Sequence, residues 1–193
     1  MHQPLAPPRV IVDNDVDETL VQRCRRGDRD AFTELVIRYQ RPIYNAAFWI
    51  LKSAEDARDV AQIVFLKVAE HLDEYDGQYR FFSWIYRIAV NESLNLLRRN
   101  GHEEPLDEEV DLPGPESGNP EVQARDAERG RFIERALLRL SAGDRTVIVL
   151  RHFGECSYQE MAKILDVDEK TVKSRLFEAR RRLRDLLLEF RPD

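Results

Sequence analysis

Residues 158–187 read YQEMAKILDVDEKTVKSRLFEARRRLRDLL, and the fold follows from how this stretch divides. Two helical patterns flank Asp166-Val167-Asp168, with Asp168 placed to cap the second and Ala162 small enough for close packing. Ile164, Leu165 and Val167 supply a shared core. That spacing predicts a helix-turn-helix, a motif whose second helix enters the major groove of DNA. At about 100° per residue, Val172, Leu176, Ala179 and Leu183 form one apolar stripe of the second helix. Lys170, Lys173, Ser174, Phe177, Arg181 and Arg184 lie opposite, and Thr171 is counted with this face. Residues 170–184 carry seven basic side chains and one acid, Glu178. A solvated basic face explains the charge but not a phenylalanine among lysines and arginines. DNA contact explains both: Lys173 to guanine edges, Ser174 to a base or phosphate, Phe177 to a thymine methyl. Arg181, Arg182 and Arg184 then neutralise phosphates. A protein-binding helix is the remaining alternative.

Upstream, the same 3.6-residue period recurs without sustained alternation of period two. Asp28–Leu51 reads as helix with a break near Pro42, Ser53 as the N-cap of a helix to about Leu72, and Phe82–Arg99 as a third. Further helices are expected over Asp126–Leu140, Gly143–Phe153, Ser157–Leu165 and Asp168–Phe190. The fold class is therefore all-α, as two small helical domains joined by a linker. The linker, residues 100–124, holds four of the nine prolines, three of the eight glycines, eight carboxylates and no Lys or Arg. Such a segment buries too little apolar surface to offset its ordering entropy, so a flexible acidic linker is expected, against a loop packed on one domain. The boundaries are residues 1–16 as a disordered tail, 17–99 as the first domain, 100–124 as linker and 125–193 as the second domain.

The 193-residue chain has a net charge of −6, which alone argues against a nucleic-acid binder. The sign is misleading, because the residues outside the linker together carry +2. No apolar run reaches the ~20 residues needed to cross a bilayer, which excludes insertion into a membrane. Residues 1–16 lack a charged-then-apolar signal pattern, and the two cysteines, Cys24 and Cys156, form neither a disulfide framework nor a CxxC pair. A reducing cytoplasm fits both. Each cysteine reads better as a small buried hydrophobe than as a redox sensor.

The first domain carries two further faces. In the helix after Ser53, Ala57, Val60, Ala61, Val64 and Val68 form the core stripe, with Phe65 on its margin. Ile63 and Leu66 point away, among Asp56, Asp59 and Gln62. Either a third helix covers these apolar residues or they are a partner surface. In 82–99, Phe82, Ile85, Tyr86, Ala89, Leu96 and Leu97 share one face, and Trp84, Arg87, Asn91, Asn95 and Arg98 the opposite one. Aromatic, amide and guanidinium groups interleaved along a helix suit unpaired bases and phosphates. Burial of Trp84 against the first helix is the competing explanation. The preceding Tyr75-Asp76-Gly77-Gln78-Tyr79-Arg80 adds a glycine-containing loop with two more aromatics.

Both halves resemble a bacterial sigma factor of the extracytoplasmic-function class, the minimal two-domain members of the sigma-70 family. GDRDAFTELVIRYQRPIYNAAFWIL resembles region 2.1, DARDVAQIVFLKV region 2.2, and FFSWIYRIAVNESLNLLRR regions 2.3 and 2.4. LSAGDRTVIVLRHFGECSYQEMAKILDVDEKTVKSRLFEARRRL resembles region 4. The order and spacing of the four motifs cover about Asp17 to Leu188. The resemblance implies that Asp56, Asp59, Gln62, Ile63 and Leu66 face core RNA polymerase. It implies that Tyr75, Arg80, Trp84, Arg87, Asn91, Asn95 and Arg98 engage the −10 promoter element and the opened strand. Lys170, Thr171, Lys173, Ser174, Phe177, Arg181 and Arg184 would meet the −35 element, with region 4 also touching the polymerase flap. The linker would run toward the RNA exit path. An anti-sigma factor, a stress or envelope-type response and a monomeric free state are further implications. Arg58 and Ile63 replace acids usual in region 2.2, Asn95 stands where aspartate is common, and Glu178 where a basic residue is common.

A conventional regulator with a helix-turn-helix output shares the C-terminal motif but needs a receiver or ligand domain, and the N-terminal half has no strand–helix alternation. Enzymatic activity and cofactors are not expected. The four histidines (2, 71, 102 and 152) are dispersed, no glycine-rich phosphate loop appears, and no His, Cys or carboxylate cluster has ligand spacing.

Overall fold

With a further helical stretch within 132–138, seven α-helices build two bundles in the computed structural model, which describes residues 14–100, 132–133 and 135–189. In chain order they are α1 (Asn14–Arg25), α2 (Arg29–Leu51), α3 (Ala54–His71), α4 (Phe81–Arg99), α5 (Ala142–Ile148), α6 (Tyr158–Leu165) and α7 (Glu169–Glu189). A 3-10 turn, Leu72–Glu74, follows α3, and α5 continues as a π-helical turn over Val149–Phe153. Among the described residues there is no strand. The acidic segment lies outside the described residues, apart from Asn100 at the end of α4. Of the helix expected over Asp126–Leu140, residues 132–133 and 135–138 are helical, and the part before residue 132 lies outside the description.

Asp28 caps α2 by accepting from the backbone N–H groups of Asp30 (3.0 Å) and Ala31 (3.1 Å). Ser53 caps α3 through the Asp56 N–H at 3.2 Å. Leu35, Tyr39, Ile43 and Ile50 of α2 meet Val60, Val64 and Val68 of α3 and Phe82, Ile85 and Ala89 of α4 in the first core. Two expectations need correction here. Pro42 does not break the helix: α2 runs unbroken through it, because Pro42 is buried in the bundle and its carbonyl accepts from the Tyr86 hydroxyl at 3.2 Å. Tertiary contacts override the local cost of an interior proline. The first domain also begins earlier than residue 17, since α1 starts at Asn14. Leu20 and Val21 seat it in the core, and buried Asp17 accepts from the Tyr39 hydroxyl and pairs with Arg38 at 3.0 Å.

In the second bundle, Val147, Leu150, Met161, Ile164, Val172, Leu176 and Ala179 form the core of α5, α6 and α7. Ser157 and Glu160 form a full capping box at the start of α6, and Asp166 turns the chain toward α7 in the left-handed region. The core continues from one bundle into the other. Trp49 stacks on Phe153 with ring centroids 5.9 Å apart. Arg145 donates to the Leu140 carbonyl at 2.7 Å within its own bundle and to the Ile50 carbonyl at 2.9 Å across the boundary. Helix α6 lies against α4.

Candidate nucleic-acid and polymerase interfaces

Helix α7 starts with Asp168, whose carboxylate accepts from the Thr171 N–H at 2.7 Å and the Thr171 hydroxyl at 3.0 Å. The backbone N–H of Thr171 holds the Asp168 carboxyl below its usual range. Thr171 is thus tied into the cap and half-buried. The stripe expected to be apolar is inward: Val172, Leu176 and Ala179 are buried and Leu183 is half-buried. Lys170, Lys173, Ser174, Arg181 and Arg184 are exposed on the other side, and Phe177 is 67% exposed. A phenyl ring that a well-packed helix keeps exposed among cations has its full apolar face available to another surface. Lys173 lies 3.8 Å from Glu169 and 5.5 Å from the centre of the Tyr158 ring, so its ammonium is held near the N-terminal end of α7. Arg181 pairs with Glu178 at 2.8 Å, and Arg184 with Asp185 at 3.5 Å. Arg182 belongs elsewhere: it donates to Asp144 at the start of α5 and pins α7 to its own bundle.

On α4, Arg87, Asn91, Asn95 and Arg98 form an exposed row, with Arg98 donating to the Asn95 amide oxygen at 3.0 Å. Trp84 is half-buried, its ring centre 5.7 Å from those of Tyr75 and Phe81. Tyr75 is not on this row. It is 4% exposed, packs edge-on against Phe81, and its hydroxyl donates to the Tyr79 carbonyl at 2.6 Å, so it braces the loop from inside. The loop turns at Gly77, whose φ of +74° suits glycine, while Asp76 accepts from the Gln78 N–H at 2.9 Å. Arg25 of α1, which local sequence did not single out, donates to the Leu72 carbonyl at 3.0 Å and also to the Tyr75 carbonyl, fixing the loop's entry. Arg80 is half-buried and faces the second bundle: it forms two hydrogen bonds to Glu160, at 2.6 and 2.5 Å.

On α3, Asp59 and Gln62 are exposed, Asp56 and Ile63 half-buried, and Leu66 is 63% exposed. No helix of the described residues covers Leu66, whereas its neighbour Ile63 is half-buried. Burial raises the Cys156 thiol to about 12, so it is protonated and unreactive at neutral pH, and half-buried Cys24 is also shifted up by burial. Among the described residues no group of three or more His, Cys, Asp or Glu is placed to hold a metal ion, and no helix is long and apolar enough to cross a membrane.

Helical spacing alone marks Glu160 as no more than a helix residue. The signal for its local role is the Ser157-Tyr158-Gln159-Glu160 string, a capping-box pattern. Its long-range role has no local signal.

Comparison with known proteins agrees with this geometry. The family model described as Sigma-70 region 2 matches residues 35–103, and that described as Sigma-70, region 4 matches residues 133–183. The chain is 35% identical over 173 residues to the ECF RNA polymerase sigma-E factor of Escherichia coli (strain K12), covering 85% of this chain and 90% of that protein. It is 33% identical over 183 residues to the RNA polymerase sigma-H factor of Pseudomonas aeruginosa, covering 88% and 93%. Among solved structures it is similar to CnrH in complex with the cytosolic domain of CnrY, at TM-score 0.66 and 26% identity over 91% of this chain and 99% of that one. The fold is shared with the sigma factor RpoE of Bartonella quintana, solved with the anti-sigma factor NepR, at TM-score 0.67 and 24% identity over 83% and 98%. The chain belongs to the extracytoplasmic-function class of the sigma-70 family, whose members are transcription initiation factors and not enzymes.

Proposed function

We propose that the exposed row of α7 reads duplex −35 DNA, that the α4 row with Trp84 and Arg80 engages the −10 element and its opened strand, and that Asp56, Asp59, Gln62, Ile63 and Leu66 dock on core RNA polymerase. The observation that carries this reading is Phe177, 67% exposed between Lys173, Ser174 and Arg181 on the second helix of a helix-turn-helix. Its ring suits a thymine methyl while the cations around it suit guanine edges and phosphates. Tyr75 supports the −10 face by bracing the loop, not by contacting a base. The protein acts as a monomer in the cytoplasm, for a stress or envelope-type response, under an anti-sigma factor. Support for that partner is the family, together with the shared fold of RpoE in its complex with NepR. Run-off transcription with core enzyme on a genomic promoter library tests the proposal. Transcripts starting downstream of a common pair of −35 and −10 sequences are expected, and their absence overturns it.

A further inference from the structure

We infer, resting on the assignment of α7 to −35 duplex made above, that Glu178 is a specificity-determining residue that reads a cytosine. Its carboxylate accepts a hydrogen bond from the N4 amino group of that base. Residues 170–184 hold seven basic side chains and this one acid. At about 100° per residue, Ser174 and Arg181 lie at the centre of the outward row, with Phe177 on one flank and Glu178 on the other. The Glu178 side chain is 39% exposed, and its Oε2 lies 2.8 Å from a guanidinium nitrogen of Arg181, one turn further on. The carboxylate therefore stands within the face that meets DNA. Stability does not account for it there, since an ion pair three residues apart between partly exposed side chains contributes little. Nor does Glu178 hold the bundle together: Arg182, the next cation along, donates to Asp144, and the Thr171 hydroxyl is held by Asp168. Attraction to the duplex does not account for it either, because phosphates repel a carboxylate. What remains is a donor on a base edge. An ionised carboxylate only accepts, and the major groove offers it the N4 amino group of cytosine or the N6 amino group of adenine. Adenine also places its N7 acceptor beside N6, which disfavours an anion. The cytosine edge carries no such acceptor, and the O6 and N7 of its paired guanine suit a guanidinium. Glu178 and Arg181, held 2.8 Å apart, thus present an acceptor and a donor side by side, the complement of a C·G pair.

Run-off transcription tests this, using holoenzyme assembled from the full chain and core RNA polymerase. The templates keep the −10 region of a promoter that the holoenzyme transcribes and carry a randomised −35 element, and those that yield transcripts are sequenced. The parent should enrich cytosine, on one strand at one position, at least roughly five-fold over each other base. Glu178→Gln should move that preference to adenine, whose N6 and N7 match a carboxamide, and leave the other positions as they were. Glu178→Ala should flatten that position alone. Both variants should keep the parent's unfolding curve, because the side chain lies outside the core. An unaltered profile in both overturns the assignment. So does a uniform rise in yield from every sequence, which would show that the acid only lowers the positive charge of the face. If Glu178 acts solely by aiming Arg181, Glu178→Gln gains no adenine, and Glu178→Ala flattens the same position as Arg181→Ala. That pattern overturns direct reading as well. A parent that enriches nothing anywhere in the −35 element takes down the assignment of α7 and this inference together. A parent with clear preferences, none of them sensitive to Glu178, leaves α7 standing and sinks Glu178 alone.

Discussion

At the scale of single residues, exposure separates side chains that fold the protein from those free to recognise a partner. Phe177 touches little of its own bundle, so Phe177→Ala should leave stability within about 0.5 kcal/mol while weakening −35 duplex binding. Thermal unfolding and fluorescence anisotropy measure the two effects side by side. Lys173→Ala should cost about 1–3 kcal/mol of promoter affinity if it bonds a guanine edge, with preference relaxed at that base pair. Asp59→Arg reverses the charge of an exposed position on α3, so loss of holoenzyme formation with an unchanged unfolding curve is the expected result. Asn91→Ala should slow promoter opening more than initial duplex binding, which permanganate footprinting of the melted region resolves. Sequence gave away Phe177 because helical period alone assigns it to the face opposite Val172 and Leu176. Tyr75 was illegible for the opposite reason. Its burial depends on Phe81 and Trp84 arriving from the next helix, and no local pattern separates a bracing tyrosine from a stacking one.

At the scale of elements, the helix boundaries were largely readable because caps are local chemistry. Asp28, Ser53 and Asp168 each accept from a backbone N–H two or three residues ahead, and each stands out in sequence. Ser157→Ala should remove about 1 kcal/mol from the second bundle by opening its capping box, seen as a lower midpoint in denaturant unfolding. Helix α2 shows where local reading ends. An interior proline predicts a break, yet Pro42 sits in a helix sealed by two layers of packing, and Tyr86 uses the carbonyl of that very residue. Helix α1 is short and carries only Val16, Leu20, Val21 and Cys24 as apolar residues, and it is further anchored by Asp17, a charge whose partners Arg38 and Tyr39 lie on the next helix.

At the scale of the molecule, a division into two domains is legible in composition, but their mutual packing is not. Trp49 with Phe153, Arg145 with the Ile50 carbonyl, and Arg80 with Glu160 are pairs far apart in the chain, joined by no periodicity. Burial raises the Glu160 carboxyl, but hydrogen bonds from Arg80, Ser83 and Ser157 outweigh it and hold the group below the usual carboxylate range. A folded value below the unfolded one of about 4.3 gives a contribution that is complete above that pH and is lost as pH falls through the folded value. Acidification should therefore separate the bundles, with small-angle scattering showing expansion before circular dichroism shows loss of helix.

The 80 residues between Arg80 and Glu160 also set a clock. A ribosome working at about 5–20 residues per second needs ~4–16 s to pass from one to the other. Helices α1–α4 contain their own core and leave the ribosome first. For those seconds each newborn molecule holds Arg80 and Ser83 with their carboxylate partner not yet synthesised.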